Sequence, residues 1–299
     1  MKVYRNEKNG KKIIETYDKL LAAWGCDKTE KDISTTYGTT HVIECGDSSL
    51  KPLVLFHGVG DDSALMWIFN AKFLSQYFHI FAIDTIGGPG KSRPNQNYNK
   101  DFDDIRWIDE TLAGLGIDKA FFTGVSNGAY LVKYYTLHRP EKVIKGICIS
   151  SAVPTVNDGK KKSSLKTMMK IFLPEAFFPT DKNVDKLIKK LSGKHYDVFT
   201  NNKVIMEHYK YLLRGFNNMA MGFHKVRPFT LDEIDKIRDK VVFLVGNEDP
   251  FQKLGGRETL IENYMKVIFY DDAGHGLNHE LAEEINLKIK EELHSSCCP

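Results

Sequence analysis

No apolar run in this chain of 299 residues approaches the length needed to cross a bilayer. Its first dozen residues, MKVYRNEKNGKK, are polar and carry no apolar core of a secretion signal, so a cytoplasmic protein is the expectation. Cysteine is sparse. Of five, Cys26, Cys45 and Cys148 stand alone, and Cys297 and Cys298 sit at the extreme C-terminus. An odd count without framework spacing argues against a disulfide scaffold and fits a reducing compartment, with the tail pair read as free thiols. Neither sign of charge dominates: 42 Lys and Arg face 39 Asp and Glu, for a formal net charge of +3. Lys160–Lys162 is the one short cluster, and no basic face marks nucleic acid as a partner. Internal repeats and low-complexity stretches are also missing.

What the chain does have is the composition of a globular protein, 42% hydrophobic and 27% charged, in a length that suits one large α/β domain. The stretch that organises it is Ala120–Leu131, AFFTGVSNGAYL. An apolar run stops at Gly124, Ser126 follows, then Gly128 and a helix-compatible segment. This reads as strand, sharp turn and helix with Ser126 at the apex, the two glycines removing β-carbons that would collide. Such a turn presents the serine hydroxyl at the positive end of a helix, beside free backbone N–H groups. A glycine-rich turn with an inert serine is the alternative.

Around this stretch, strands and helices alternate. Residues 10–24 place Ile13, Ile14, Tyr17, Leu20, Leu21 and Trp24 on one helical stripe, expected to pack on the body of the domain. Ile33–Tyr37 and Thr39–Glu44 read as two β-strands, a possible antiparallel start to the sheet. Leu53–Phe56, Ile80–Ile83 and Ala120–Thr123 read as buried strands, and Gly146–Ser150, Val241–Val245 and Lys266–Tyr270 as further strands of the same sheet. Helices are expected over Ser63–Tyr77, Asp101–Leu115 (capped by Asp101 or Asp103), after Ser126, and over Glu280–Leu293. The pattern implies a mostly parallel central sheet flanked by helices. Between Pro154 and Pro228 the rhythm breaks into uneven helical segments rich in Met and aromatics, among them Met168, Met169, Phe172, Phe177, Phe178, Met206, Met219, Met221 and Phe223. The expected division is a core of residues 1–153 and 229–299 and a helical cap of residues 154–228. The cap's Met and Phe side chains serve as its own core or line an apolar pocket.

In open parallel sheets, ligands bind beyond the carboxyl ends of the strands. Four strand ends carry suitable residues: His57-Gly58, the Ser126 turn, Glu248-Asp249-Pro250, and Gly274-His275. Serine, acid and histidine follow in the order nucleophile, acid, base. At these residues the chain resembles the α/β-hydrolase superfamily over nearly its whole length, and within it the bacterial carboxylesterases with a helical cap. The resemblance implies Ser126 as nucleophile, Asp249 as acid and His275 as base, with the backbone N–H groups of Val59 and Asn127 as the oxyanion hole. It also implies that Asp84, in DTIGGPGKS, is structural.

Rivals exist for several of these roles. Glu248 adjoins Asp249, Asp271 and Asp272 lie near His275 in sequence, and His57 is a second histidine at a strand end. His57 is expected to be structural, and His138 and His279 to lie on helix surfaces. Two other motifs fail on inspection. Gly87–Ser92 ends like a phosphate-binding loop, but Thr85 stands where that motif needs glycine. His275 and His279 have zinc-site spacing, but the glutamate is missing and Gly276 argues against a helix there. Neither a metal nor a cofactor is therefore expected.

The implied activity is hydrolysis of carboxylic esters of small to medium, mostly apolar substrates through an acyl-enzyme. Lactonase, thioesterase, peptidase and carbon–carbon hydrolase branches share the same residues, and a slow or non-catalytic small-molecule-binding protein on this fold is the other reading. The partner expected is a small ester; monomer and homodimer are both open.

Overall fold

The computed structural model describes residues 2–153, 171–172, 175, 178–254 and 256–294. Lys160–Lys162, Met168, Met169, Phe177, Cys297 and Cys298 lie outside the described residues.

Nine strands form one sheet: β1 (Lys28–Thr35), β2 (Gly38–Cys45), β3 (Pro52–Phe56), β4 (His79–Ile83), β5 (Arg93–Pro94), β6 (Ala120–Val125), β7 (Val143–Ile149), β8 (Val241–Gly246) and β9 (Lys266–Tyr270). Their order is β1-β2-β4-β3-β6-β7-β8-β9, with β5 paired to β2. β1, β2 and β4 pair antiparallel, and β4, β3, β6, β7, β8 and β9 run parallel. The central strands are apolar throughout because helices cover both faces, which leaves two separate cores. One holds Ile13, Tyr17, Leu20, Leu55, Phe121 and Ile147; the other holds Val54, Phe56, Trp107, Phe122, Tyr135 and Phe243.

The first helix, Glu7–Ala22, is capped by Asn6, whose side chain accepts from the N–H of Asn9. It buries Ile13, Tyr17, Leu20 and Leu21 against the body, as its stripe predicts. Helix Asp104–Gly114 takes Asp103 as its cap and leaves Asp101 outside.

Four expectations need correction. β1 begins at Lys28, well before Ile33, because KTEKD belongs to an edge strand whose side chains are mostly exposed and show no apolar alternation. The single helix expected over Ser63–Tyr77 is two turns, Ser63–Met66 and Ala71–Leu74. Tertiary donors reach its backbone at three consecutive carbonyls: Trp24 Nε1 donates to Ala64, His279 Nε2 to Leu65 and Asn278 Nδ2 to Met66, at 2.9, 3.0 and 2.7 Å. His279 is accordingly buried, not on a helix surface, and Gly276 caps a one-turn helix, Leu277–Glu280, where none was expected.

Between β7 and β8 the described residues form helices Asp181–Leu191, Asp197–Thr200, Lys203–Gly215 and Leu231–Ile237 and a 3-10 turn, Asn218–Met221. The end of the helix Lys203–Gly215 is tied to the N-terminal residues. Arg5 N–H donates to Gly215 O, and Tyr4 pairs with Phe216 in an isolated bridge. Inside, His208 Nε2 donates to Asp62 Oδ2 at 2.8 Å while its Nδ1 lies 2.7 Å from Thr16 Oγ1, all three residues buried.

The helix Asn127–His138 packs unusually close to the sheet, and glycine makes that possible. A β-carbon on Gly128 would lie 2.3 Å from Phe56 O, and one on Gly124 would lie 2.3 Å from Gly128 C. Both obstacles are backbone, which cannot swing aside. Gly128→Ala is expected to lose about 1–3 kcal/mol or more of stability, measured by urea unfolding; an unchanged midpoint would mean the helix is free to move outward.

Candidate active site

Ser126 sits at the carboxyl end of β6 with φ 55° and ψ −112°, a backbone region that costs a side-chain-bearing residue of order 1–3 kcal/mol. Its N–H donates to Ile149 O at 3.0 Å and its carbonyl accepts from Tyr130 N–H, so both strand and helix hold it there. The strained turn leaves the half-buried side chain facing a cavity of about 870 Å³ at the strand ends.

Asp249 and His275 reach the same cavity from the ends of β8 and β9. His275 Nδ1 donates to Asp249 Oδ2 at 2.9 Å, and Asp249 Oδ1 accepts from Phe251 N–H at 2.9 Å. Burial of the imidazole disfavours its charged form. The charge and hydrogen bond of Asp249 outweigh this, with Asp61 and Glu280 adding to them, and His275 is held above its ordinary value of 6.5. With Nδ1 committed to Asp249, Nε2 is the ring nitrogen left to take a proton. The loop carrying His275 is fixed by Glu280, whose two carboxylate oxygens accept from Gly274 N–H and Gly193 N–H at 3.0 and 2.7 Å.

The rivals for the acid lie elsewhere. Glu248 is exposed, Asp271 accepts from Asn247 Nδ2, and Asp272 pairs with Lys194. His57 is fully buried between two backbone partners: its Nδ1 donates to Gly58 O and its Nε2 accepts from Thr85 N–H, both at 2.8 Å. Burial lowers its pKa and keeps it neutral. It holds together the loops after β3 and β4.

Val59 and Asn127 line the cavity on either side of Ser126 in the chain. Among the described residues neither of their backbone N–H groups has a hydrogen-bond acceptor, which is the condition an oxyanion hole requires. The loop that carries Val59 is anchored by Asp62, which caps helix Ser63–Met66 and pairs with His208. Asp84 anchors the neighbouring turn: its carboxylate accepts from Ser63 N–H and Lys91 N–H at 3.0 and 2.7 Å. Gly87–Ser92 wraps this buried carboxylate, and a β-carbon on Gly90 would strike it at 2.2 Å.

Three lining residues escaped the sequence reading. Asp61 faces the cavity, and burial, aided by the neighbouring Asp62, raises its carboxyl to about 7. Tyr209 lines it from the helix Lys203–Gly215, and Lys133 from the helix that follows Ser126. The apolar wall is built from Val184, Leu187, Ile188, Leu212, Phe216 and Phe172. Met206, Met219 and Met221 are not part of it.

A strained serine, a carboxylate-held histidine and unpaired N–H groups at the ends of parallel strands define a class of fold and site. Residues 51–280 match the family model for the alpha/beta hydrolase fold, and the chain belongs to that family. Carboxylesterase YbfK of Bacillus subtilis is 25% identical over 287 residues, covering 94% of this chain and 93% of that protein. The uncharacterized carboxylesterase nap of Bacillus subtilis is 27% identical over 291 residues, 94% of this chain and 92% of its own. The crystal structure of naproxen esterase from Bacillus subtilis superposes with a TM-score of 0.77 at 21% identity, covering 96% of this chain and 99% of that one. Among the described residues no helix is long and apolar enough to cross a membrane.

The charges around His275 predict the pH dependence. For ester hydrolysis, kcat/KM should rise with pH through a midpoint above 6.5, because only the neutral ring can accept a proton. Asp61→Asn removes one raising charge and should move the midpoint down; Asp249→Asn should cost about 10³–10⁴-fold in rate. A midpoint unmoved in Asp61→Asn would show that this carboxyl does not act on His275.

Proposed function

We propose that this protein is a serine carboxylesterase that cleaves small to medium, mostly apolar esters through an acyl-enzyme on Ser126. The observation that carries the reading is the meeting of Ser126 and the Asp249-held His275 in one apolar cavity at the strand ends. The near-full-length carboxylesterase relatives support it.

A serine hydroxyl is a weak nucleophile until a base takes its proton. In this mechanism His275 Nε2 accepts the proton as Ser126 Oγ attacks the ester carbonyl. Asp249 keeps Nδ1 protonated and offsets the imidazolium charge. Negative charge then develops on the former carbonyl oxygen and is met by the N–H groups of Val59 and Asn127, one such donor being worth about 3–4 kcal/mol. His275 returns its proton to the leaving alkoxide, the alcohol departs, and a water activated by the same nitrogen hydrolyses the acyl-serine. The helices of residues 154–228 act as a cap whose Val184, Leu187, Ile188 and Leu212 exclude water and set the shape of the substrate.

The test is hydrolysis of p-nitrophenyl esters of increasing acyl length by wild type and Ser126→Ala, with an organophosphonate label located by mass spectrometry. The expected outcome is turnover by wild type, a loss of about 10³-fold or more in the variant, and the label on Ser126. Stoichiometric ligand binding with equal, negligible turnover in both proteins would return the fold to a binding role.

A further inference from the structure

Lys133 is a charged side chain in a place that seldom tolerates one. It is 1% exposed, on the helix Asn127–His138, and it lines the cavity that holds Ser126. Its Nζ donates to Ser151 Oγ at 2.7 Å and to Ala152 O, and it lies over the Phe243 ring, 5.4 Å from the centroid. These partners are neutral. Among the described residues no carboxylate pairs with it, and the third N–H of its ammonium has no acceptor. Burial pushes the amine down to about 8, so the group is still mostly protonated at neutral pH. An isolated buried cation is costly, and the cost falls when an anion is placed beside it.

A second polar group at the same end of the cavity also lacks a partner. Ser150 ends β7 with φ +49°, a strained conformation for a serine, fixed by its N–H donating to Leu244 O at 2.9 Å. It is 3% exposed, it lines the cavity, and its Oγ is buried without a hydrogen-bond partner among the described residues. Gln252 also lines the cavity and has a buried amide oxygen unpaired among the described residues, and rotation of that amide puts its NH₂ there instead. An ammonium with a spare donor, a free hydroxyl and a free amide supply the donors that a carboxylate accepts.

We propose that Lys133 and Ser150 form an anion-binding subsite of the cavity, and that the preferred substrates are esters carrying a free carboxylate on one arm. Lys133 follows Ser126 by seven residues on the helix, but its ammonium reaches Ser151 and Ala152 just past β7, and Ser150 directly follows Ile149, whose carbonyl accepts from Ser126 N–H. The subsite therefore lies at the neighbouring ends of β6 and β7, and the chain length that suits it is what the ester series reads. The proposal rests on the acyl-enzyme reading for its chemistry, but the subsite can be tested with or without turnover.

The experiment compares carboxylate esters with neutral esters of equal length. One series is the monomethyl esters of straight-chain dicarboxylic acids from four to eight carbons, against methyl esters of the matching monoacids. The other is ω-acetoxy carboxylates against the corresponding alkyl acetates. In wild type, one carboxylate series should exceed its neutral counterpart in kcat/KM by about tenfold or more, with an optimum chain length. In Lys133→Met that ratio should fall to about one, the loss appearing mainly in KM. Ser126→Ala protein, which cannot turn the esters over, should bind the best carboxylate ester about tenfold or more tightly than the neutral one by calorimetry. Hydrolysis of both kinds of ester without a carboxylate preference, in wild type itself, overturns the subsite and leaves the esterase standing. Absence of hydrolysis with tight carboxylate binding sinks the esterase and leaves the subsite. Equal binding of the two esters by Ser126→Ala overturns the subsite whether or not Lys133→Met folds.

Discussion

The constraint on which the rest depends is the contact of two backbones at Gly128 and Phe56. The helix after β6 can lie this close to β3 only where no β-carbon intervenes. That closeness bends the chain at Ser126 into a positive φ, and the bend turns its side chain out of the sheet toward the cavity. A loose connection would let the serine relax to an ordinary φ and sink into the interface. Strain at this position is sustained by the packing of the helix, whose Leu131, Val132 and Tyr135 are fully buried, together with the backbone bonds of Ser126 to Ile149 and Tyr130.

Bringing a histidine into the same cavity as that serine is a separate problem, because His275 comes from the far end of the chain. The solution is a set of buried polar anchors at the loop roots. Glu280 grips Gly274 and Gly193, Asp249 grips His275 and the N–H of Phe251, and His275 N–H donates to Leu191 O at 2.6 Å. Gly274 belongs to the same arrangement, since a β-carbon there would strike Leu191 O at 2.4 Å. These bonds join the loop after β9 to the helix Asp181–Leu191, so the histidine and one wall of the cavity are positioned by one structure. On the opposite side, Asp62, His208 and Thr16 join the Val59 loop, the helix Lys203–Gly215 and the first helix in the same manner.

Much of this was legible in the sequence because it is written in short-range signals. A buried parallel strand is an unbroken apolar run, and a turn between strand and helix shows its glycines. The candidate site residues Ser126, Asp249 and His275 fall one per strand end, where an open α/β sheet gathers its ligands. The signals fail where distant partners decide local structure. Ser63–Tyr77 has a helical pattern, yet Trp24, Asn278 and His279 claim its carbonyls from other parts of the chain, and the helix breaks. His279 looked exposed for the same reason: nothing within its own segment announces Leu65 as a partner. β1 was only half visible because an exposed edge strand has no reason to alternate.

Lys133 is not singled out by anything in its own segment. In AYLVKYYTLH a lone lysine reads as the solvent side of a helix, but this helix is covered nearly all round, and residues on every side of Lys133 are buried. A helix between a sheet and its neighbours has no polar face on which to place a charge. A lysine that persists there must find acceptors inside, and those present, Ser151 and Ala152, stand at the end of β7, where the sheet opens into the cavity. Besides Asp249 and His275, the described cavity lining carries one further carboxyl, Asp61 beside the Val59 loop, and one amine, Lys133. Burial pushes each toward its neutral form, the carboxyl upward and the amine downward. In so apolar a space a ligand's own charges weigh heavily: a carboxylate near Asp61 is repelled, while the same group near Lys133 is held. The two residues therefore give the cavity a direction, and a substrate with one charged end can enter it in only one favourable orientation.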